Sequence, residues 1–94
     1  MIILQIEHKV PSFEGWKKAF DSDPVGRKKS GVRRYQIFSP ADDPNYVIID
    51  LYFDNNDDAA KMLTSLNILW GKVAGTVMTG PKARILNIVE SVEI

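Results

Sequence analysis

The sequence predicts an α+β domain in the order β-α-β-β-α-β, with one four-stranded antiparallel sheet, and three observations carry that prediction. The first is alternation at the start of the chain. There Ile2, Leu4, Ile6 and His8 interleave with Ile3, Gln5, Glu7 and Lys9 in the period of two that marks a strand with one apolar face. The second is a hairpin across 31–53, whose arms are rich in aromatic and β-branched residues and whose middle gathers Ser39, Pro40, Asp42, Asp43, Pro44 and Asn45. The third is helical spacing on either side of the hairpin. Phe13, Trp16 and Phe20 precede it, and Ala59, Met62, Leu63, Leu66, Leu69, Trp70 and Val73 follow it.

Each element has its own start and stop. Pro11 ends the first strand, Ser12 sits where a helix N-cap belongs, and Glu14 places negative charge in the first turn, where the helix dipole favours it. Asp23-Pro24 restarts the chain, and 25–30 reads as a short turn of helix closed by Gly31. In the hairpin, pairing Phe38 with Tyr46 sets Gln36 against Ile48, Arg34 against Asp50 and Val32 against Tyr52, so a cation faces an anion on one side of the sheet. The other side would carry Arg33, Tyr35 and Ile37 with Val47, Ile49 and Leu51. Asp54, Asn55, Asn56, Asp57 and Asp58 offer caps for the second helix, with a bend expected at 64–67, where helix propensity is poor. Gly75 suits that helix's end, 76–81 reads as loop, and alternation over 83–92 reads as the last strand.

Right-handed crossovers on each side of a central hairpin turn this order into a ferredoxin-like, split βαβ sheet with both helices on one face. The opposite face would expose Ile3, Gln5, Glu7, Val32, Arg34, Gln36, Phe38, Tyr46, Ile48, Asp50 and Tyr52, with one alternating set from the last strand, either Ile85, Asn87 and Val89 or Arg84, Leu86 and Ile88. So much apolar surface calls for a partner, and the sheet of a second copy is the expected one.

Composition narrows the classes of function. Ninety-four residues are expected to form a single domain, 1–94, which buries only about 60–65% of its unfolded surface and so gains from pairing. Twelve basic residues balance twelve acidic ones, which argues against nucleic acid or an anionic membrane as partner. There is no cysteine, so thiol redox, disulfide and thiolate-metal chemistry are excluded. Gln5 and Glu7 interrupt the apolar run after Met1, so neither a signal segment nor a membrane span is expected there and a cytoplasmic location is. Asp54, Asn56 and Asp58 imitate a calcium loop, but Ala59 and Ser65 stand where glycine and glutamate are needed. A lone histidine makes a metal site unexpected.

Phe13 to Asp21 in the first helix, Gly31-Val32 entering the hairpin, Asp42-Asp43-Pro44-Asn45 at its tip, and Ala74-Gly75 leading to Gly80-Pro81 form a recognisable set when added to the strand order. Together they resemble the dimeric α+β barrel superfamily, and within it the small antibiotic-biosynthesis-monooxygenase-like and stress-responsive barrel proteins. The superfamily implies two chains with facing sheets, and its members include cofactor-free oxygenases, haem-degrading enzymes and lactone isomerases. Haem-degrading members use a histidine on the second helix, an asparagine on the first strand and a tryptophan. Here Trp70 is present, but the second helix has no histidine and the first strand offers Gln5 instead of asparagine, so no cofactor is expected.

Two functions fit these residues. In the first, a cofactor-independent monooxygenase or isomerase acts on a small aromatic or polyketide-like compound. Arg34 would then anchor an anionic oxygen, Asp50 or Glu7 would serve as base, and Gln5, Gln36, Tyr46, Tyr52 and Trp70 would hold the ligand. In the second, the chain is a non-enzymatic ligand-binding or assembly domain, whose polar residues bridge two sheets. His8, sharing a face with Ile2, Leu4 and Ile6, reads as an edge or helix-packing residue rather than a base.

Overall fold

A computed structural model describes residues 1–24, 26–73 and 79–94. Six elements follow the expected order: β1 (Ile2–Lys9), α1 (Phe13–Asp21), β2 (Arg34–Phe38), β3 (Tyr46–Phe53), α2 (Asn56–Val73) and β4 (Thr79–Asn87). The strands form one antiparallel sheet in the order β2-β3-β1-β4, the ferredoxin-like arrangement.

Both helices begin as the capping residues dictate. Ser12, at φ −151°, accepts a hydrogen bond from the Gly15 amide at 3.3 Å, and Asn55 accepts one from the Asp58 amide at 2.8 Å, so each cap satisfies a first-turn donor. α2 runs unbroken through 64–67. Leu66 is buried there and Thr64 returns its hydroxyl to the Ala60 carbonyl, so tertiary packing overrides the weak local propensity. The core lies between the helices and one sheet face, joining Leu4, Ile6, Val47, Ile49, Leu51 and Phe53 to Trp16 of α1 and to Ala59, Met62, Leu66 and Trp70 of α2. Burying a side chain of this size contributes roughly 1.5–3 kcal/mol.

The hairpin register differs from expectation by two residues. Arg34 pairs with Tyr52, Gln36 with Asp50 and Phe38 with Ile48, so Arg34 does not stand opposite Asp50. The reason lies in the connection: the Val10 amide donates to the Asn45 carbonyl at 2.8 Å and Lys9 pairs with Tyr46, so β3 starts on β1 before β2 reaches it. A shift of two preserves the face of every side chain. Val32 lies before β2 and packs against the core, not on the outer face.

Between α1 and β2 the described residues form turns rather than a helix. Ser30 donates to the Gly26 carbonyl at 3.0 Å and Val32 to the Arg27 carbonyl at 3.0 Å. Gly31 closes this segment at φ +95°, and a Cβ there would sit 2.7 Å from Asp58 Oδ2. Gly31→Ala is therefore expected to lower stability by about 1–3 kcal/mol in urea denaturation, because it strains the backbone and pushes Asp58 off its bracket with Asn55.

The last strand starts earlier than its alternation suggested. Gly80 and Pro81 belong to β4, not to a loop, and both lie across from His8, where the pairing steps from Glu7 with Lys82 to Lys9 with Thr79. Gly80 at φ +60° makes this bulge possible. The expected helix end at Gly75, and the part of the expected loop over 76–78, lie outside the described residues, as does position 25.

Candidate functional site

The outer face of the sheet holds most of the residues singled out from the sequence. Gln5 is their centre, because β1 lies between β3 and β4 and sets Gln5 level with Asp50 on one side and Arg84 on the other. Its Oε1 accepts from Arg84 Nε at 2.9 Å and Nη2 at 2.6 Å, while its Nε2 donates to Asp50 Oδ1 at 3.0 Å. The amide thus relays between a cation and a buried carboxylate. Beside it Tyr52 donates its hydroxyl to Gln36 Oε1 at 2.8 Å, and the Arg34 guanidinium lies 4.3 Å from the Tyr52 ring centroid. Glu7 pairs between Ile48 and Lys82, and Tyr46, opposite Lys9, has its hydroxyl pKa raised by desolvation and by the neighbouring Glu7 carboxylate.

Arg84 is the residue of this network that sequence reasoning left unassigned. It belonged to one of two alternating sets for the last strand, and only pairing with β1 chooses between them. A depression of about 130 Å³ borders Gln5, Glu7, Lys82 and Arg84. Phe38 is 42% exposed on the same face.

The larger cavity is on the other side of the sheet. It has a volume of about 260 Å³ and sits between the sheet residues Ile6, Ile49 and Leu51, the α1 residues Trp16, Ala19 and Phe20, and the α2 residues Leu66, Leu69 and Trp70. His8, Ser22, Pro24 and Arg27 complete its wall. Trp70 is therefore separated by the sheet from the polar network on the outer face, and the two groups cannot meet one ligand within a chain. Both tryptophans of the chain line this cavity.

Period-two alternation on β1 turns His8 toward the helices, where only 3% of its surface is exposed and its ring meets Trp16 edge-on with centroids 5.8 Å apart. Nδ1 lies 3.2 Å from the Lys9 carbonyl oxygen. A carbonyl can only accept, so Nδ1 carries the proton and Nε2 keeps its lone pair, with no hydrogen-bond partner among the described residues. Burial lowers the His8 pKa from its ordinary value, outweighing the Lys9 hydrogen bond, which raises it. His8 is thus a neutral imidazole with a free lone pair in a largely apolar chamber, an arrangement able to accept a proton. The sequence held its signal in the lone histidine on an apolar strand face. What it lacked was the void beside that face, which depends on how far α1 and α2 splay.

Among the described residues no group of three or more histidine, cysteine, aspartate or glutamate side chains is placed to hold a metal ion. α2 carries no histidine that could hold a haem iron. No helix among the described residues is long and apolar enough to cross a membrane.

No protein-family model and no curated protein sequence matches the chain. Solved structures do. SnoaB, a cofactor-independent oxygenase from Streptomyces nogalater, superposes with a TM-score of 0.75 at 11% identity, covering 97% of this chain and 95% of its own. A Deinococcus radiodurans protein, a candidate antibiotic biosynthesis monooxygenase, gives 0.69 at 15% identity over 100% and 98% of the two chains. A dimeric ferredoxin-like protein from an uncultured marine organism gives 0.66 at 10% identity over 97% of each. At such identities the likeness is one of backbone, and the strand order and helix placement described above are what is shared: the chain has the ferredoxin-like fold that these structures have.

Proposed function

We propose that the chain binds a small aromatic or polyketide-like molecule in the helix-side cavity and oxidises it with molecular oxygen, without a cofactor. The observation that carries this reading is the placement of His8, a neutral imidazole with a free Nε2, on the wall of a cavity lined mostly by tryptophan, phenylalanine and aliphatic side chains. Its volume of about 260 Å³ is just below the about 300–1,000 Å³ typical of ligand pockets, which suits a compact ring system.

The chemistry needs a substrate acidic at carbon and rich in electrons, such as an anthrone-class phenol. His8 Nε2 removes a proton from the reacting CH₂, and the ring system delocalises the resulting carbanion. The carbanion passes one electron to O₂, the radical pair combines into a C–O bond, and the peroxide takes a proton back from the imidazolium. Loss of water from that hydroperoxide leaves a ketone, so CH₂ and O₂ become C=O and H₂O. Trp16, Phe20 and Trp70 stack on the ring system and keep bulk water from the carbanion.

An anthrone added to the chain in the presence of a chelator should be converted to the quinone with one O₂ consumed per product, read by an oxygen electrode and quinone absorbance. Ligand at a hundred times its Kd stabilises a fold by about 2.7 kcal/mol, a rise of roughly 10–20 °C in Tm for a domain of this size. The absence of both oxygen uptake and a Tm shift would overturn the reading. A Tm shift with no oxygen consumed would favour a binding domain.

The outer face is proposed to meet a second copy, with Gln5, Glu7, Arg34, Gln36, Tyr46, Asp50 and Tyr52 as the polar part of the seam and Ile3, Phe38, Ile48 and Leu86 as the apolar part. Light scattering is expected to give about twice the chain mass of 10.6 kDa, and Ile48→Lys is expected to give single chains. A wild-type chain that scatters as a monomer overturns the pairing.

A further inference from the structure

Among the described residues of the cavity wall, the one permanent charge belongs to Arg27, in the turn segment between α1 and β2. Its position is built, not incidental. The guanidinium carbon lies 4.0 Å from the Phe20 ring centroid and 5.2 Å from that of Tyr35, and the two rings meet edge to face at 5.0 Å. Nη1 donates to the Phe20 carbonyl at 2.7 Å, fastening the side chain to the C-terminal turn of α1, and only 16% of the side chain is exposed.

The nearby acid, Asp23, pairs with one end of the guanidinium only. Asp23, held at φ +54°, receives the Arg27 amide on Oδ1 at 2.9 Å, and the same oxygen lies 3.5 Å from Nη1. A guanidinium carries five N–H donors, and those on Nε and Nη2 have no acceptor among the described residues. A half-buried cation with free donors, seated against two edge-to-face aromatic rings beside a largely apolar cavity, meets the needs of an aromatic acid. The ring fills the cavity, and the carboxylate takes the N–H groups in the planar, two-point geometry that arginine offers and lysine does not.

We propose that Arg27 is the anion-recognising residue of the helix-side cavity and that the ligand is an aromatic carboxylic acid. This rests on the cavity being the ligand site, and it narrows the substrate from aromatic compounds in general to those carrying a carboxylate. His8 and Arg27 then divide the work: the imidazole faces the reacting carbon, and the guanidinium fixes the ligand's orientation.

The test uses a matched pair of probes on the intact chain, 2-naphthoate and its neutral isostere 2-naphthamide, titrated by calorimetry at low salt. The wild-type chain is expected to bind the acid at least about tenfold more tightly than the amide, as loss of a charge-assisted pair would dictate. Arg27→Gln should abolish that preference while leaving amide affinity nearly unchanged, and Arg27→Lys should restore only part of it. Because Arg27 also pins a turn, the wild-type ratio is decisive even if the variants fold poorly. Equal wild-type binding of acid and amide overturns the proposal for Arg27 and leaves the cavity reading standing. Binding of neither probe overturns both.

Discussion

Replacing His8 with glutamine is expected to lower turnover of an anthrone-class substrate by about 10²–10⁴-fold, the span that a positioned general base contributes. Binding should change little, because glutamine can still donate to the Lys9 carbonyl and the aromatic walls are untouched. The loss should therefore fall on kcat more than on KM. The pH dependence gives a second readout. His8 acts only when neutral, and burial draws its pKa below the ordinary 6.5, so wild-type kcat should stay level through neutral pH and fall only on the acid side of 6.5. The same shift links pH to stability. Between 6.5 and the lower folded value the unfolded chain binds a proton that the folded chain refuses, so stability is full above 6.5 and is lost as pH falls through the folded pKa. Denaturation at a series of acid pH values should show this loss in the wild-type chain and a smaller one in His8→Gln. A variant that keeps full turnover removes His8 from the chemistry, whatever it does to stability.

The fold was legible because its determinants are local. Ser12 and Asn55 cap helices wherever they stand at a helix start, and alternation on β1 and β3 assigns faces without any knowledge of neighbours. Register was less legible. The placement of Arg34 against Asp50 assumed that the hairpin closes on itself, whereas the Val10 amide draws Asn45 toward β1 and moves Arg34 onto Tyr52. Parity survived that error, so Gln5, Gln36, Asp50 and Tyr52 do share a face. The cavity left no trace in the pattern. Trp16, Leu66 and Trp70 read as core residues, which they are, and a core residue beside a void has the same periodicity as one beside a side chain. His8 and Arg27 took on a potential role only once the helices were in place around that void.

The contrast between a packed core position and the cavity wall gives the second large effect. Phe53 is fully buried, pairs with Ile2 and belongs to the cluster that includes Ala59 and Met62 of α2, away from the cavity wall. Phe53→Ala should cost about 3–5 kcal/mol, the lost transfer energy of the ring plus the void it leaves. For a domain of this size that is a fall in Tm of roughly 15–30 °C, measured by circular dichroism, and it takes up much of the about 5–15 kcal/mol that such folds possess. Ala19→Phe should behave in the opposite way. In a filled core the added ring would cost about 1–3 kcal/mol through overpacking. On the wall of a cavity of about 260 Å³ it has room, so Tm should hold or rise while 2-naphthamide binding disappears. A stabilised chain that has lost its ligand would mean that the void is kept open at the expense of stability, as expected of a binding site. Equal destabilisation by both substitutions would mean that the helix side of the sheet is packed throughout, and the proposed site would have no space to occupy.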